Sequence, residues 1–424
     1  KVFTKIIEAL QKYSKNNNGS IKFFKTKTQE SMLFAEIISN KYDIAVANPP
    51  YTDSGSYGKE LKNFIIKNYK KPLSFYSNLY TVFLKRNAEL INENGKIGMI
   101  HPHTFMFIKS YEDVRKFILD NFHINLFIDY GLDRVNLFGP NILLDSVFYI
   151  FEKSNYNKPS IFLTVTFDLQ EKYKKQEIIN AFKDYTLDNE NKRVYKLDQS
   201  KLKNIESYPF VYWISDGFRE KFKGNCFKNE VDVIHGMWTG NNNKFLRYIW
   251  EINRKDISEK YEIDNKKWIK YAKGGPHNKW FGNIWLGINW ENNARELCKF
   301  KGAGLYNKNF LFKCGIATSR SSSKGSSYRI LPNNHIFDVA SSSIIPKDHK
   351  KHKKLYYLAL MNSKFVEFII NCLNPTVNTT EGDIKRIPFI SPLEKIENKI
   401  LFLSKDNVKI KKHLCEFSII EMNY

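Results

Sequence analysis

Apolar and polar positions follow two periods along the first 150 residues. Short apolar or β-branched runs at 20–25, 43–47, 96–100, 125–129 and 146–151 are bounded by turn residues and predict strands. Between them, segments 3–13, 28–39, 61–70, 77–91 and 111–121 keep their apolar residues at helical spacing. In 77–91 that face is Leu79, Val82, Phe83, Ala88, Leu90 and Ile91. Asn92-Glu93-Asn94-Gly95 is expected to end this helix, with Gly95 as the C-cap. Asn-Gly at 16–19 and Phe138-Gly139-Pro140 are breaks. Alternating strand and helix predict a mostly parallel, doubly wound α/β sheet.

The pattern changes near Lys153. Residues 154–230 are charged and irregular and are expected to be a connecting segment. From 231 to 345 the chain is rich in Gly, Asn, Ser and Trp, with few long helical periods, and predicts a separate α+β or β-rich domain. Residues 355–373 predict one long amphipathic helix and 393–418 another. No internal repeat is evident.

Lys plus Arg number 67 against 44 acidic residues, a net charge of +23. A surplus of that size points to a polyanion, with nucleic acid favoured, although a lysine-rich composition contributes to it. Cysteines 226, 298, 314, 372 and 415 lack CxxC spacing, which suits a reduced cytosolic protein and argues against a zinc site. No apolar run is long enough for a membrane span.

The candidate chemistry lies at the end of the 43–47 strand, in Asn48-Pro49-Pro50-Tyr51. In an open α/β sheet, ligands sit beyond the carboxyl ends of the strands. An Asn side chain offers an acceptor on a short arm. Prolines present carbonyls on a rigid turn. Asn48 Oδ1 and the Pro49 carbonyl can together accept both hydrogens of an exocyclic amino group, leaving its lone pair free to attack a methyl donor. Tyr51 supplies a flat face for a base. A Ser-, Gly- and Tyr-rich loop follows at 52–60. His101 and His103 flank Pro102 at the next strand end and are expected to line the site or support it, not to bind a metal.

Asn48 to Tyr51 resembles the motif of gamma-type N6-adenine DNA methyltransferases. Ser77 to Arg86 followed by Asn94 to Pro102 is similar to the helix–strand pair after that motif, and Val147 to Lys153 to its late hairpin strand. Gly236 to Arg247, Lys273-Gly274-Gly275, Lys279 to Asn283, Gly315 to Ser319 and Leu373 to Val377 extend the likeness. Together they resemble the PglX-type methyltransferases of BREX phage defence and their type IIG restriction–modification relatives. The resemblance implies the C-terminal part of a doubly wound, Rossmann-like methyltransferase sheet over 1–153. A connecting segment at 154–230, an α+β target-recognition domain at 231–392 and a helical segment at 393–424 would follow. It implies Asn48, Pro49, Pro50 and Tyr51 as catalytic residues and Phe151 as a base-stacking residue.

For contact with double-stranded DNA the candidates are Trp238, Thr239, Asn243, Arg247, Lys273, Trp280, Arg320, Lys324, Asn374 and Thr376. Of Trp238, Trp280 and Trp290, at least two are expected in the core. Asn374 and Thr376 either shape the recognition surface or cap the preceding helix. The methyl donor implied is S-adenosyl-L-methionine. Its Gly-rich turn, Asp/Glu-x-x-x-Gly-x-Gly, does not occur in residues 1–40, so the donor site is expected upstream. Two functions remain open: adenine methylation of DNA in the cytoplasm, with other defence subunits as possible partners, or DNA recognition without catalysis. A methyltransferase acting on RNA or protein fits the large second region less well.

Overall fold

The computed structural model describes residues 30–31, 33–133, 144–154, 158–166, 171–322, 324–376, 378–418 and 420. The expected elements at 3–13 and 20–25 and the break at 138–140 lie outside them. The chain divides between Lys203 and Asn204 into two compact units.

The first unit is built on a six-stranded sheet. Its elements are β1 (Tyr42–Ala47), α1 (Lys59–Tyr69), α2 (Leu79–Leu90), β2 (Ile91–Pro102), α3 (Glu112–Asn121), β3 (His123–Asp133), β4 (Leu144–Glu152), β5 (Ser160–Thr164), α4 (Glu171–Thr186) and β6 (Val194–Leu197). The strand order is β1-β2-β4-β3-β5-β6. β1 is parallel to β2, and β3 to β5, while β4 runs antiparallel to both β2 and β3. The doubly wound expectation holds for the parallel strands. β4 departs from it because the chain returns from β3 in too few residues for a crossover helix.

The connecting segment expected from residue 154 instead supplies β5 and β6 to the same sheet. Gly95 is not the cap of α2. That helix ends at Leu90, and Asn94 is the residue with positive φ, at 65°.

One face of the sheet is buried at Ile97, Tyr149 and Phe151, and Tyr80 and Leu84 of α2 and Val114, Phe117 and Ile118 of α3 are buried as well. The other face is open at β1, an edge strand among the described residues, where Ile44 is 65% and Val46 78% exposed.

The second unit holds two four-stranded sheets. One orders β13 (Ile336–Phe337), β9 (Trp268–Ala272), β10 (Leu286–Asn289) and β8 (Leu246–Tyr248). The other orders β12 (Tyr328–Leu331), β11 (Gly315–Thr318), β14 (Ser343–Pro346) and β7 (Val231–Ile234). Met237, Ile269, Tyr271, Ile288, Leu331 and Ile345 form a core shared by the two sheets. Ile316, Tyr328 and Ile344 belong to a second core with residues of α5 (Lys354–Met361), α6 (Lys364–Leu373) and α7 (Glu381–Lys385). The long helix expected at 355–373 is two, α5 and α6, because Ser363 caps the second by accepting from Val366 N–H at 3.2 Å. α8 (Glu394–Glu416) matches the expected C-terminal helix.

Candidate active site and nucleic-acid face

β1 delivers Asn48 to the carboxyl edge of the sheet, level with Ile100 of β2. Pro49 is buried and Asn48 exposed, so the turn is anchored while the amide faces out. The Tyr51 hydroxyl donates to Asn48 Oδ1 at 2.6 Å and lies 3.4 Å from the Ile100 carbonyl. Burial pushes the Tyr51 phenol up to about 12, so it stays a neutral donor at physiological pH.

Asn78 fixes this turn from behind. It is buried, its Nδ2 donates to the Tyr51 carbonyl at 3.1 Å, and its Oδ1 caps α2 by accepting from Tyr80 N–H at 3.3 Å. Leu79 N–H donates to the Thr52 carbonyl and Ser54 N–H to the Ser77 carbonyl, each at 3.0 Å. Thr81 Oγ1 donates to the carbonyls of Phe75 and Asn78. The loop after Tyr51 is therefore laced to the start of α2. Asn78 lies inside the stretch matched to the helix after the motif, but sequence reasoning gave it no role. Its one signal was an Asn preceding a helical apolar run.

His101 is a core residue. It stacks on Tyr80 with centroids 4.4 Å apart. Nδ1 lies 2.9 Å from the Pro102 carbonyl and Nε2 2.9 Å from the Tyr149 hydroxyl. A neutral ring satisfies both, donating through Nδ1 and accepting at Nε2. Burial accordingly lowers its pKa to about 4. His103 Nε2 lies 3.8 Å from Asp145 Oδ2.

Phe151 does not occupy the place expected of it. It is fully buried, stacked on Tyr149 at 3.9 Å, and pairs with Ile97, whereas Pro102 at the site end of β2 pairs with Ser146. The antiparallel sense of β4 carries Phe151 away from Asn48. Phe148, opposite Ile100, and Tyr149 share with Asn48 a cavity of about 540 Å³, lined also by Val46, Ala47 and Met99. That cavity is apolar.

In the second unit, residues that are distant in sequence converge. Ser319 Oγ donates to the Gly275 carbonyl at 3.0 Å, and Asn278 N–H to Ser327 Oγ at 3.3 Å. Thr379 N–H donates to the Arg320 carbonyl at 2.8 Å, and Ser321 bridges to Asn378. Loops 273–283, 319–327 and 374–380 thus form one surface that carries exposed Arg320 and Lys324. Lys273 stands 3.8 Å from Asp338, and Thr376 is half-buried at the same edge. Trp280 is half-buried with φ 75° and packs on the core.

Three candidates are turned inward. Asn374 is buried, its side chain donating to the Asn378 carbonyl and to Asp383 Oδ2 at 2.9 Å while accepting from Thr376, and its backbone N–H closes α6 by donating to the Ile370 carbonyl. Thr239 is buried against Asn242. Trp238 donates its indole N–H to the Gly302 carbonyl at 2.6 Å, and its ring packs on Tyr306. Trp290 is core. Asn243 and Arg247 are exposed, and Arg247 donates to the Asn243 carbonyl at 2.6 Å.

The fold is similar to that of solved restriction–modification enzymes. The type IIL enzyme MmeI in complex with DNA superposes with a TM-score of 0.55 at 12% identity, over 89% of this chain and 50% of that one. A nuclease-deletion mutant of the type ISP enzyme LlaGI, also with a DNA substrate mimic, gives 0.55 at 11% identity over 94% and 37%. Residues 2–138 match the Eco57I restriction-modification methylase family. It is 30% identical to the adenine-specific methyltransferase BrxX of Escherichia coli O9:H4 (strain HS), over 88% of the chain. It is 31% identical to the adenine-specific methyltransferase PglX of Lacticaseibacillus casei (strain Zhang), over 83%. The chain spans 30% of the length of each.

Proposed function

We propose that this chain holds the target base and reads the DNA in an S-adenosylmethionine-dependent N6-adenine methyltransferase of phage defence or restriction–modification, working in the cytoplasm. The observation that carries the reading is the placement of Asn48 at the carboxyl end of β1, its amide exposed beside Tyr51. It is supported by the relatives named as adenine-specific methyltransferases.

Adenine N6 is a weak nucleophile because its lone pair is delocalised into the ring. Acceptors at both N–H bonds, Asn48 Oδ1 and the Pro49 carbonyl, favour a pyramidal nitrogen as charge develops, so they act mainly in the transition state. The Tyr51 hydroxyl now occupies Asn48 Oδ1 and must turn aside when the amino group arrives. The base reaches this turn only when flipped out of the duplex, and the Tyr51 ring is the surface it stacks on. S-adenosylmethionine supplies an activated methyl group when bound. On the DNA side, the surface bearing Arg320 and Lys324 meets the duplex. The test is transfer of a tritiated methyl group to DNA by the full-length protein. Asn48→Ala should lower turnover by roughly 10² to 10³ while DNA affinity is retained. Near-normal turnover in that variant overturns the reading.

A further inference from the structure

Two large aromatic rings of the second unit stand in solvent outside every role assigned above. Tyr248 ends β8 and Trp250 follows two residues later, and each is 45% exposed. Their planes lie 9° apart with centroids separated by 4.4 Å. β8 is the edge strand of its sheet, held on one side by β10, with Tyr248 opposite Leu286. The backbone under the pair is fixed. Ile249 N–H donates to the Trp285 carbonyl at 2.9 Å, and Tyr248 N–H to Glu251 Oε2 at 2.7 Å.

Such a pair is costly to leave in water, since each ring keeps much of its apolar surface wet. The parallel stack is rigid and offers an outer π-face to a third flat ring, in the offset geometry that aromatic systems prefer. Its neighbours in the chain, Arg247, Arg254 and Lys255, are exposed cations on a chain of net charge +23. Glu251 and Asp256 lie in the same stretch, with Glu251 held on Tyr248 N–H, so three cations face two carboxylates, and flat rings near a surplus of positive charge match a nucleobase joined to its phosphate. An apolar polypeptide partner would be served by aliphatic walls in place of these cations.

We propose that Tyr248 and Trp250 form a stacking platform for an unpaired base of the bound DNA, with Arg247, Arg254 and Lys255 meeting the adjoining phosphates. This rests on the reading of the protein as a DNA methyltransferase. The platform adds a contact that is selective for DNA with a base out of its stack. It differs from the phosphate contacts of Arg320 and Lys324, which do not distinguish paired from unpaired sites.

The test is fluorescence anisotropy of the chain with two labelled duplexes of one sequence, one fully paired and one carrying a single-base bulge. The wild type should bind the bulged duplex about tenfold more tightly. Trp250→Ala and Tyr248→Ala should each remove most of that preference while leaving paired-duplex affinity within about threefold, and Trp250→Phe should restore it. Both side chains are solvent-facing, and matched circular dichroism spectra confirm that the variants fold. Equal binding of the two duplexes by the wild type, or an unchanged preference in both alanine variants, overturns the platform but leaves DNA binding standing. Absence of any duplex binding by the wild type overturns both readings.

Discussion

The hydroxyl of Tyr51 donates to the same Asn48 Oδ1 that the incoming amino group needs, and this decides how substitutions there should behave. Tyr51→Phe removes a donor from Asn48 Oδ1 and keeps the stacking face, so methyl transfer should stay within about threefold of wild type. Tyr51→Ala should cost roughly ten- to a hundredfold, partly rescued by a mismatch opposite the target base, because flipping is then cheaper. Assays on matched and mismatched duplexes separate the two, and a Phe variant as inactive as Ala would refute the stacking role. His101 gives a second residue-scale prediction. Its folded pKa of about 4 lies below the ordinary value near 6.5, so the unfolded chain binds the proton first. Stability should fall as pH drops below about 6.5, by roughly 2–3 kcal/mol before levelling off near pH 4. His335, lowered by burial to about 4, adds a separate contribution in the second unit. Urea midpoints at pH 7 and pH 5 should show a smaller acid loss in His101→Gln than in wild type. That a strand ends at Asn48-Pro49-Pro50-Tyr51 was legible from a short apolar run followed by two prolines. The inward turn of Asn374 and Thr239 was not, because a polar side chain in a loop reads the same whether it faces water or Asp383.

Among the elements, α2 matters most for the site, since its first turn holds the loop that follows Tyr51. Asn78→Ala removes the cap and the bond to the Tyr51 carbonyl together. It should cost roughly 1–2 kcal/mol in unfolding free energy and lower methyl transfer well below what the lost folded fraction explains. Denaturant midpoints and turnover measured where the variant is fully folded check both halves. Helix and strand positions between 43 and 121 were readable because apolar periods there are clean, whereas β5, α4 and β6 were hidden in a charged stretch. The direction of β4 was not readable from periodicity, which carries no polarity, and the family likeness that named Phe151 did not fix which residue of the strand stands level with Asn48. The split between α5 and α6 was hidden because apolar spacing runs on across Asn362 and Ser363.

At the scale of the whole molecule, charge and convergence dominate. The surface made by loops 273–283, 319–327 and 374–380 joins segments that no local pattern connects, and hydrogen bonds such as Ser319 to Gly275 are its only signature. Replacing Arg320 and Lys324 by Ala should weaken duplex binding and flatten the salt dependence by up to about 1.8 in logarithmic slope, one phosphate contact each. Titrations at low and moderate salt measure it, and an unchanged slope removes that loop from the interface. The open edge at β1 has a colloidal consequence. Among the described residues, Ile44 and Val46 face water on an edge strand, and such an edge is a template for pairing with another copy. Repulsion between molecules carrying +23 holds such copies apart at low ionic strength. Salt shortens that repulsion to about 8 Å at physiological strength. Buffers chosen to strip nucleic acid from the protein should therefore also clump it, seen as light scattering that rises with salt and is suppressed by Val46→Lys.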